Sequence, residues 1–252
     1  MTQNRLRSVV IVAALIVALG AASLAVSAQR GRSVVAAYEN VDYNGRFTFS
    51  RIRYGSRGFR GGSSWAHDYP RADEHLSMLI QALTAVSPNV ERTNVFDLED
   101  PAIFAHPILY VSEPGFWSIS DAGARNLREH LLKGGFVIFD DFEAGQWVNF
   151  EAQFRRALPE AEFIEIDARH PIFHSFFEIH DIDVPHPLVR VDPVYLAVFE
   201  NNDPAGRMMA LVNYNNDLAE YWEWSGEGIF PVDTTNEAWK LGINYLIYAL
   251  TH

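Results

Sequence analysis

The chain contains no cysteine in its 252 residues. That absence excludes disulfides, thiolate metal sites and any cysteine nucleophile. There is no G-x-S-x-G elbow, so a serine nucleophile is unsupported. The glycine-rich stretch at 55–64 has neither the P-loop lysine nor the G-x-G-x-x-G spacing, so it does not match a phosphate-binding loop. No HExxH-like pattern occurs. Basic residues are scarce, with 20 Lys+Arg against 32 Asp+Glu and a net charge of −12. A field of that sign repels nucleic acid and anionic lipid headgroups. Plain solubility explains the charge as well. Beyond the N-terminal run, no stretch of about 18 apolar residues exists, so nothing else is expected to span a bilayer.

What is present begins with a targeting segment. Arg5 and Arg7 precede an apolar run from Val9 to about Val26, and Val26-Ser27-Ala28 offers small residues before a cut at Gln29. The run is slightly long for a cleaved signal, so an uncleaved anchor is the alternative. Either way the folded part is expected outside the cytoplasmic membrane, with membrane contact only through this segment. Without residues 1–28 the chain keeps 18 basic and 32 acidic residues, a net of −14. No cysteine stands at the cut, which excludes a lipoprotein. Residues 29–45 read as a mobile lead-in and 46–252 as a single domain, large enough to rely on its core alone.

Hydrophobic periodicity sets out the elements. Residues 46–54 alternate as a strand. Pro70 suits a helix start, with Asp68 or Tyr69 at the cap, and apolar spacing continues to Val86. A short strand is expected at 90–96. Residues 107–112 are an unbroken apolar run, as for a strand buried on both faces. Ser120 opens a helix that Gly134-Gly135 ends. Strand 136–139 stops at Asp140-Asp141. A helix at 147–158 and a short strand at 161–166 follow. Residues 194–199 and 208–213 read as a β-pair, and 235–250 as a closing helix. Alternating strands and helices predict an α/β domain with a mostly parallel, doubly wound sheet and an extra β-pair at one edge.

In such a sheet, ligands sit beyond the carboxyl ends of the strands. The candidates at those ends are His67, Asp68 and Arg71, then Glu113, then Asp140 and Asp141, then His170. His67-Asp68 can orient an imidazole as a base, or cap a helix. Arg71 and Asp73 are expected to pair, and Arg51 or Arg53 to compensate Asp140-Asp141. Adjacent acids call for a cation or base, or they cap the following helix. His170, His174, His180 and His186 form a histidine-rich stretch. With the acids it introduces a divalent metal as candidate cofactor, against the alternative of ordinary hydrogen-bonded histidines. Tyr221-Trp-Glu-Trp224 reads as a sugar platform or as core.

These residues also carry a resemblance. Phe47–Tyr54, His67-Asp68-Tyr69-Pro70-Arg71, Leu127–Gly135 leading to Phe139-Asp140-Asp141-Phe142, His170-Pro171-Ile172-Phe173 and Leu241–Thr251 together resemble the bacterial domain-of-unknown-function family numbered 4159. The resemblance covers roughly residues 46–251. It implies a class I glutamine amidotransferase-like fold, a flavodoxin-like three-layer sandwich, and no established activity. Glutaminase chemistry on that fold needs the cysteine missing here. The expectation is a non-catalytic ligand-binding or envelope-assembly module whose partner is a small molecule, a glycan or an envelope protein. The alternative is a metal- or carboxylate-dependent hydrolase using Asp140 or Asp141 with His67 or His170.

Overall fold

A computed structural model describes residues 39–56 and 64–252. The expected leader, the lead-in up to residue 38 and the centre of the glycine-rich loop at 57–63 lie outside the described residues. The strands are β1 (Ser50–Arg53), β2 (Gly55–Ser56), β3 (Asn94–Asp97), β4 (Ile108–Ser112), β5 (Trp117–Ser118), β6 (Phe136–Phe142), β7 (Ile164–Glu165), β8 (Val194–Phe199) and β9 (Met208–Tyr214). The helices are α1 (Arg71–Leu83), α2 (Asp121–Leu132), α3 (Trp147–Ala157), α4 (Leu218–Glu223) and α5 (Val232–Thr251). Among the described residues no helix is long and apolar enough to cross a membrane.

Seven strands form one sheet in the order β3-β1-β4-β6-β9-β8-β7. The first five in that order run parallel, and β8 and β7 are each antiparallel to their inner neighbour. The centre is apolar on both faces because helices cover both. Tyr110 and Ile138 join the core shared by α1, α4 and α5. On the other face Phe139 packs against Phe150 and Phe154 of α3 and against Trp117. The α/β sandwich and its mostly parallel sheet are therefore as expected. Ser120 caps α2 by accepting from the Gly123 amide at 3.0 Å.

Several expectations change. The first strand, Ser50–Arg53, is shorter than 46–54, and the end of the expected lead-in is tied down. Asn40 and Val41 hydrogen-bond to Val95 and Asn94 of β3. Gly55-Ser56, read as loop, pairs with Trp117-Ser118 as a two-stranded ribbon. Strand β6 does not stop at Phe139. It continues through Asp140-Asp141 to Phe142, with a register break against β9. Phe139 and Phe142 both pack on Phe150 although they are three residues apart. A regular strand would put them on opposite faces, so one residue is bulged out. The short strand expected at 161–166 is the outermost strand, beyond the β-pair, because it pairs only with β8.

The closing helix packs closely enough to need a glycine. A Cβ on Gly242 would lie 2.7 Å from a Trp222 ring carbon and 3.3 Å from Leu76. Gly242→Ala is expected to lower stability by about 1–2 kcal/mol, the clash outweighing about 1 kcal/mol of helix propensity. The urea unfolding midpoint measures it, and an unchanged or higher midpoint would mean the helix can shift away.

Candidate functional site

Four carboxyl-end segments meet. His67-Asp68 lies between β2 and α1, Glu113 follows β4, Asp141 sits in the bulge of β6, and Asp217 follows β9. The His67 ring donates from Nδ1 to Asp141 Oδ2 at 2.7 Å. The same oxygen accepts from the Ser112 hydroxyl at 3.2 Å. Glu113 and Asp68 oxygens lie 3.7 and 3.8 Å from the imidazole nitrogen. The His67 side chain stays 41% exposed while that of Asp68 is wholly covered, so solvent reaches the cluster on the histidine side.

The backbone is bent to bring these groups in. Asp68, Glu113 and Asp141 have φ of 61°, 45° and 63°. Left-handed conformations in non-glycine residues cost on the order of 1–3 kcal/mol each and gather where a side chain must be aimed. For Asp141 the bulge gives the reason. It turns the carboxylate away from the Phe139 face and toward His67.

A buried cation holds the His67 segment. Arg51 of β1 is 0% exposed. Its guanidinium donates to both Asp73 oxygens at 3.1 and 2.5 Å, and to the carbonyls of Trp65 at 3.0 Å and His67 at 2.6 Å. The planar fork of arginine suits this shared task. Arg51 therefore does not compensate Asp140-Asp141, and Arg53 pairs instead with Asp97 at the surface. Nor does Arg71 pair with Asp73. It reaches Glu227 and lies over the Trp224 ring, since Asp73 is already taken inside.

The two adjacent acids divide their work. Asp140 is fully buried and accepts from the Tyr110 hydroxyl at 2.8 Å, Asn213 Nδ2 at 3.1 Å, and the Leu218 and Ala219 amides at 3.0 and 3.2 Å. Four donors make it a structural clasp between the sheet and α4. Asp141 alone faces the cluster. The capping readings also fail: α1 begins after Pro70 without a side-chain cap, and Glu143 caps the short turn before α3.

His170 does not join the group. It accepts the Ile172 amide and packs between Phe199 and Tyr248. Phe199 ends a strand antiparallel to β9, so it marks the opposite end of the sheet from Asp141. Both His174 nitrogens are engaged, with Glu178 and the Ala168 carbonyl. His180 lines a separate cavity of about 310 Å³ with Asp167, Asp181 and Asp183. Among the described residues, the groupings able to hold a metal use His67, Asp68, Glu113, Asp141, Asp217 and Glu220, and none of the histidines from 170 to 186. Tyr221 and Trp222 are core, so they form no sugar platform.

Asp217 is the residue that sequence reasoning missed. It is 1% exposed, and its Oδ1 caps α4 by accepting from the Glu220 amide at 3.0 Å. The signal was the polar run Asn213-Tyr-Asn-Asn-Asp217 after an apolar strand, the same pattern that marked Asp140-Asp141.

Electrostatics follow from burial and crowding. The hydrogen bond to Asp141 raises His67 to about 10, so the ring is a cation at neutral pH. Burial pushes Asp141 above the usual carboxylate range against the pull of that cation. Burial also raises Asp68, aided by Asp217, and raises Asp217, aided by Asp141 and Asp140. The site is thus acid-rich, with His67 as its near cation. No curated protein matches the chain. The family model described as "Domain of unknown function (DUF4159)" matches residues 48–250, most of the chain, and the protein belongs to that family.

Proposed function

We propose that the protein is an exported ligand-binding or envelope-assembly module and that the cluster around His67 and Asp141 is its binding site. One observation carries this: six polar side chains converge from four chain segments, three of them on left-handed backbone. Export rests on the character of residues 1–28. The finer fold class, flavodoxin-like and class I glutamine amidotransferase-like, rests on the resemblance and is supported by the parallel core with helices on both faces. The missing cysteine removes the nucleophile that such a fold would use on glutamine. An excess of acid favours neutral or cationic partners, such as a glycan, a small molecule or a basic protein surface.

The test is a thermal-shift screen over glycans, peptides and small cationic compounds. A true ligand raises the melting temperature of the wild type. It binds His67→Ala and Glu113→Gln at least about tenfold more weakly, which is about 1.4 kcal/mol. If no compound binds, or a hit binds both variants as it binds the wild type, the reading fails.

A hydrolase is the second reading, favoured by the 2.7 Å His67–Asp141 contact. A ring protonated at neutral pH would serve there as an acid, and Asp141 would be the carboxylate. Asp140 has no part in it, since its oxygens already carry four hydrogen bonds. Turnover of ester, glycoside or peptide substrates that Asp141→Asn abolishes would select this reading over the first.

A further inference from the structure

We propose that Asp68, Asp141 and Asp217 hold one divalent cation of the oxygen-preferring kind beside His67; this rests on the reading that the cluster is the binding site. One oxygen from each of the three lies within 4.8 Å of the others, and all three residues are buried. They are 5%, 7% and 1% exposed. Crowded acids alone would mean little. Two further facts point to a missing positive partner.

First, Asp217 Oδ2 is buried without a hydrogen-bond partner, although its sister oxygen caps α4. Neither Asp68 oxygen meets an N–H or O–H donor. The polar contact of Asp68 is with the Glu223 carboxyl, and two carboxyls can bond only if one keeps a proton. Buried polar atoms without partners are rare, and each asks for an explanation such as an ion. Second, the nearby arginines are committed elsewhere, and His67 is one cation against three buried acids. Arg51 is held by Asp73 and two carbonyls, and Arg71 by Glu227. His67 bonds to Asp141 and stands 3.8 Å from Asp68.

The donor set chooses the ion. Carboxylate oxygens without thiolates suit Mg²⁺, Ca²⁺ or Mn²⁺. Neighbouring oxygens on such ions lie roughly 3–3.5 Å apart, given metal–oxygen distances of about 2.1–2.5 Å. Modest side-chain rotation would bring the three into that range. Three protein oxygens also leave positions free on a six-coordinate ion. Glu220, grouped with His67 and Asp68, stands near enough to supply a fourth.

The experiment uses the full chain, stripped with EDTA and dialysed, then titrated with MnCl₂ and followed by electron paramagnetic resonance. Melting curves with MgCl₂, CaCl₂ and MnCl₂ run alongside. One tight Mn²⁺ per chain is expected, with a rise in melting temperature of about 5–10 °C at one hundred times Kd. Asp217→Asn keeps the helix cap and is expected to lose at least about 30-fold in Mn²⁺ affinity. Asp167→Asn, an exposed acid of the separate cavity, is expected to leave binding unchanged. Absence of tight Mn²⁺ binding, or equal affinity in Asp217→Asn, overturns the proposal. If a screened ligand still binds the EDTA-treated protein when Mn²⁺ does not, the cation fails and the binding-site reading stands. If neither binds, both fail.

Discussion

Arg51→Ala is expected to lower the unfolding free energy by about 3–5 kcal/mol, the range for removing one partner of a buried ion pair. The loss has two parts. Asp73 is left charged and 0% exposed at the start of α1, without its bidentate partner. The carbonyls of Trp65 and His67 also lose their donor, which releases the segment that carries the site. The second part has its own readout. Amides of residues 64–69 should exchange with deuterium faster in the variant, beyond what the change in global stability explains. A double variant, Arg51→Met with Asp73→Leu, separates the parts. Burying two apolar side chains in place of two charges should restore most of the stability. It supplies no donor to the two carbonyls, so local exchange should stay fast. A loss below about 1 kcal/mol for Arg51→Ala would show that the segment is held by other contacts.

Asp217→Asn is expected to stabilise the EDTA-treated protein by about 1–2 kcal/mol at pH 8, a usual range for relieving strain at a functional site. The gain should shrink toward pH 5. Asparagine caps a helix as well as aspartate does, so the Glu220 amide keeps its acceptor. The substituted amide would donate toward the Asp68 and Asp141 oxygens, where the carboxylate only repelled them. The sign of the pH dependence follows from the raised values. An acid whose folded pKa lies above its unfolded value binds more protons in the folded state. Its contribution is complete below the unfolded pKa and is lost as pH rises through the folded one. Asp68, Asp141 and Asp217 are all raised by burial, so each withdraws stability as pH rises above about 4. His67, raised to about 10, adds to the decline between about 6.5 and 10.

Other groups set the low-pH side of the curve. Burial lowers His130 and His186 to about 4, so both must charge on unfolding below about 6.5. Their contribution is lost as pH falls through that window. Between about pH 4 and 6.5 the two effects oppose each other, and above about pH 6.5 only the decline remains, so the wild type should lose melting temperature steadily from pH 7 to 8. Melting temperatures of both proteins at pH 5, 6, 7 and 8 measure it. A stabilisation by Asp217→Asn that is flat with pH would mean the carboxylate is not part of a coupled acidic cluster.

Much of the architecture was legible because periodicity reports burial directly. The unbroken apolar runs at 107–112 and 136–139 read as strands covered on both sides, and they are β4 and most of β6. Helices at 121–132 and 147–157 announced themselves by spacing, and Ser120 by its capping chemistry. The residue types at the site were legible too. His67, Asp68, Glu113 and Asp141 stood where strands were expected to end, and the ends of neighbouring parallel strands meet in space.

Partners were not legible, because they depend on which strands are neighbours and on backbone detail. Composition made Arg71 and Asp73 an obvious pair two residues apart. Packing instead gave Asp73 to Arg51, which reaches it from β1, the strand covered by α1. Nothing in the dipeptide Asp140-Asp141 said that a bulge would turn one acid to the cluster and bury the other under four donors. His170 looked equivalent to the rest, but the segment after β7 packs it against Phe199 and Tyr248, at the other end of the sheet. Asp217 enters only because β9 lies beside β6, a long-range pairing that local sequence does not encode.

By itself, then, the sequence determined an α/β sandwich, a negative field, the exclusion of cysteine chemistry and the polar residues at the strand ends. Local propensity, burial periodicity and composition suffice for those. The tertiary structure alone decided which acids lack a counter-charge. That is a matter of distance among residues up to about 150 positions apart in the chain, and electrostatic energy depends on separation in space and on the water excluded between the groups.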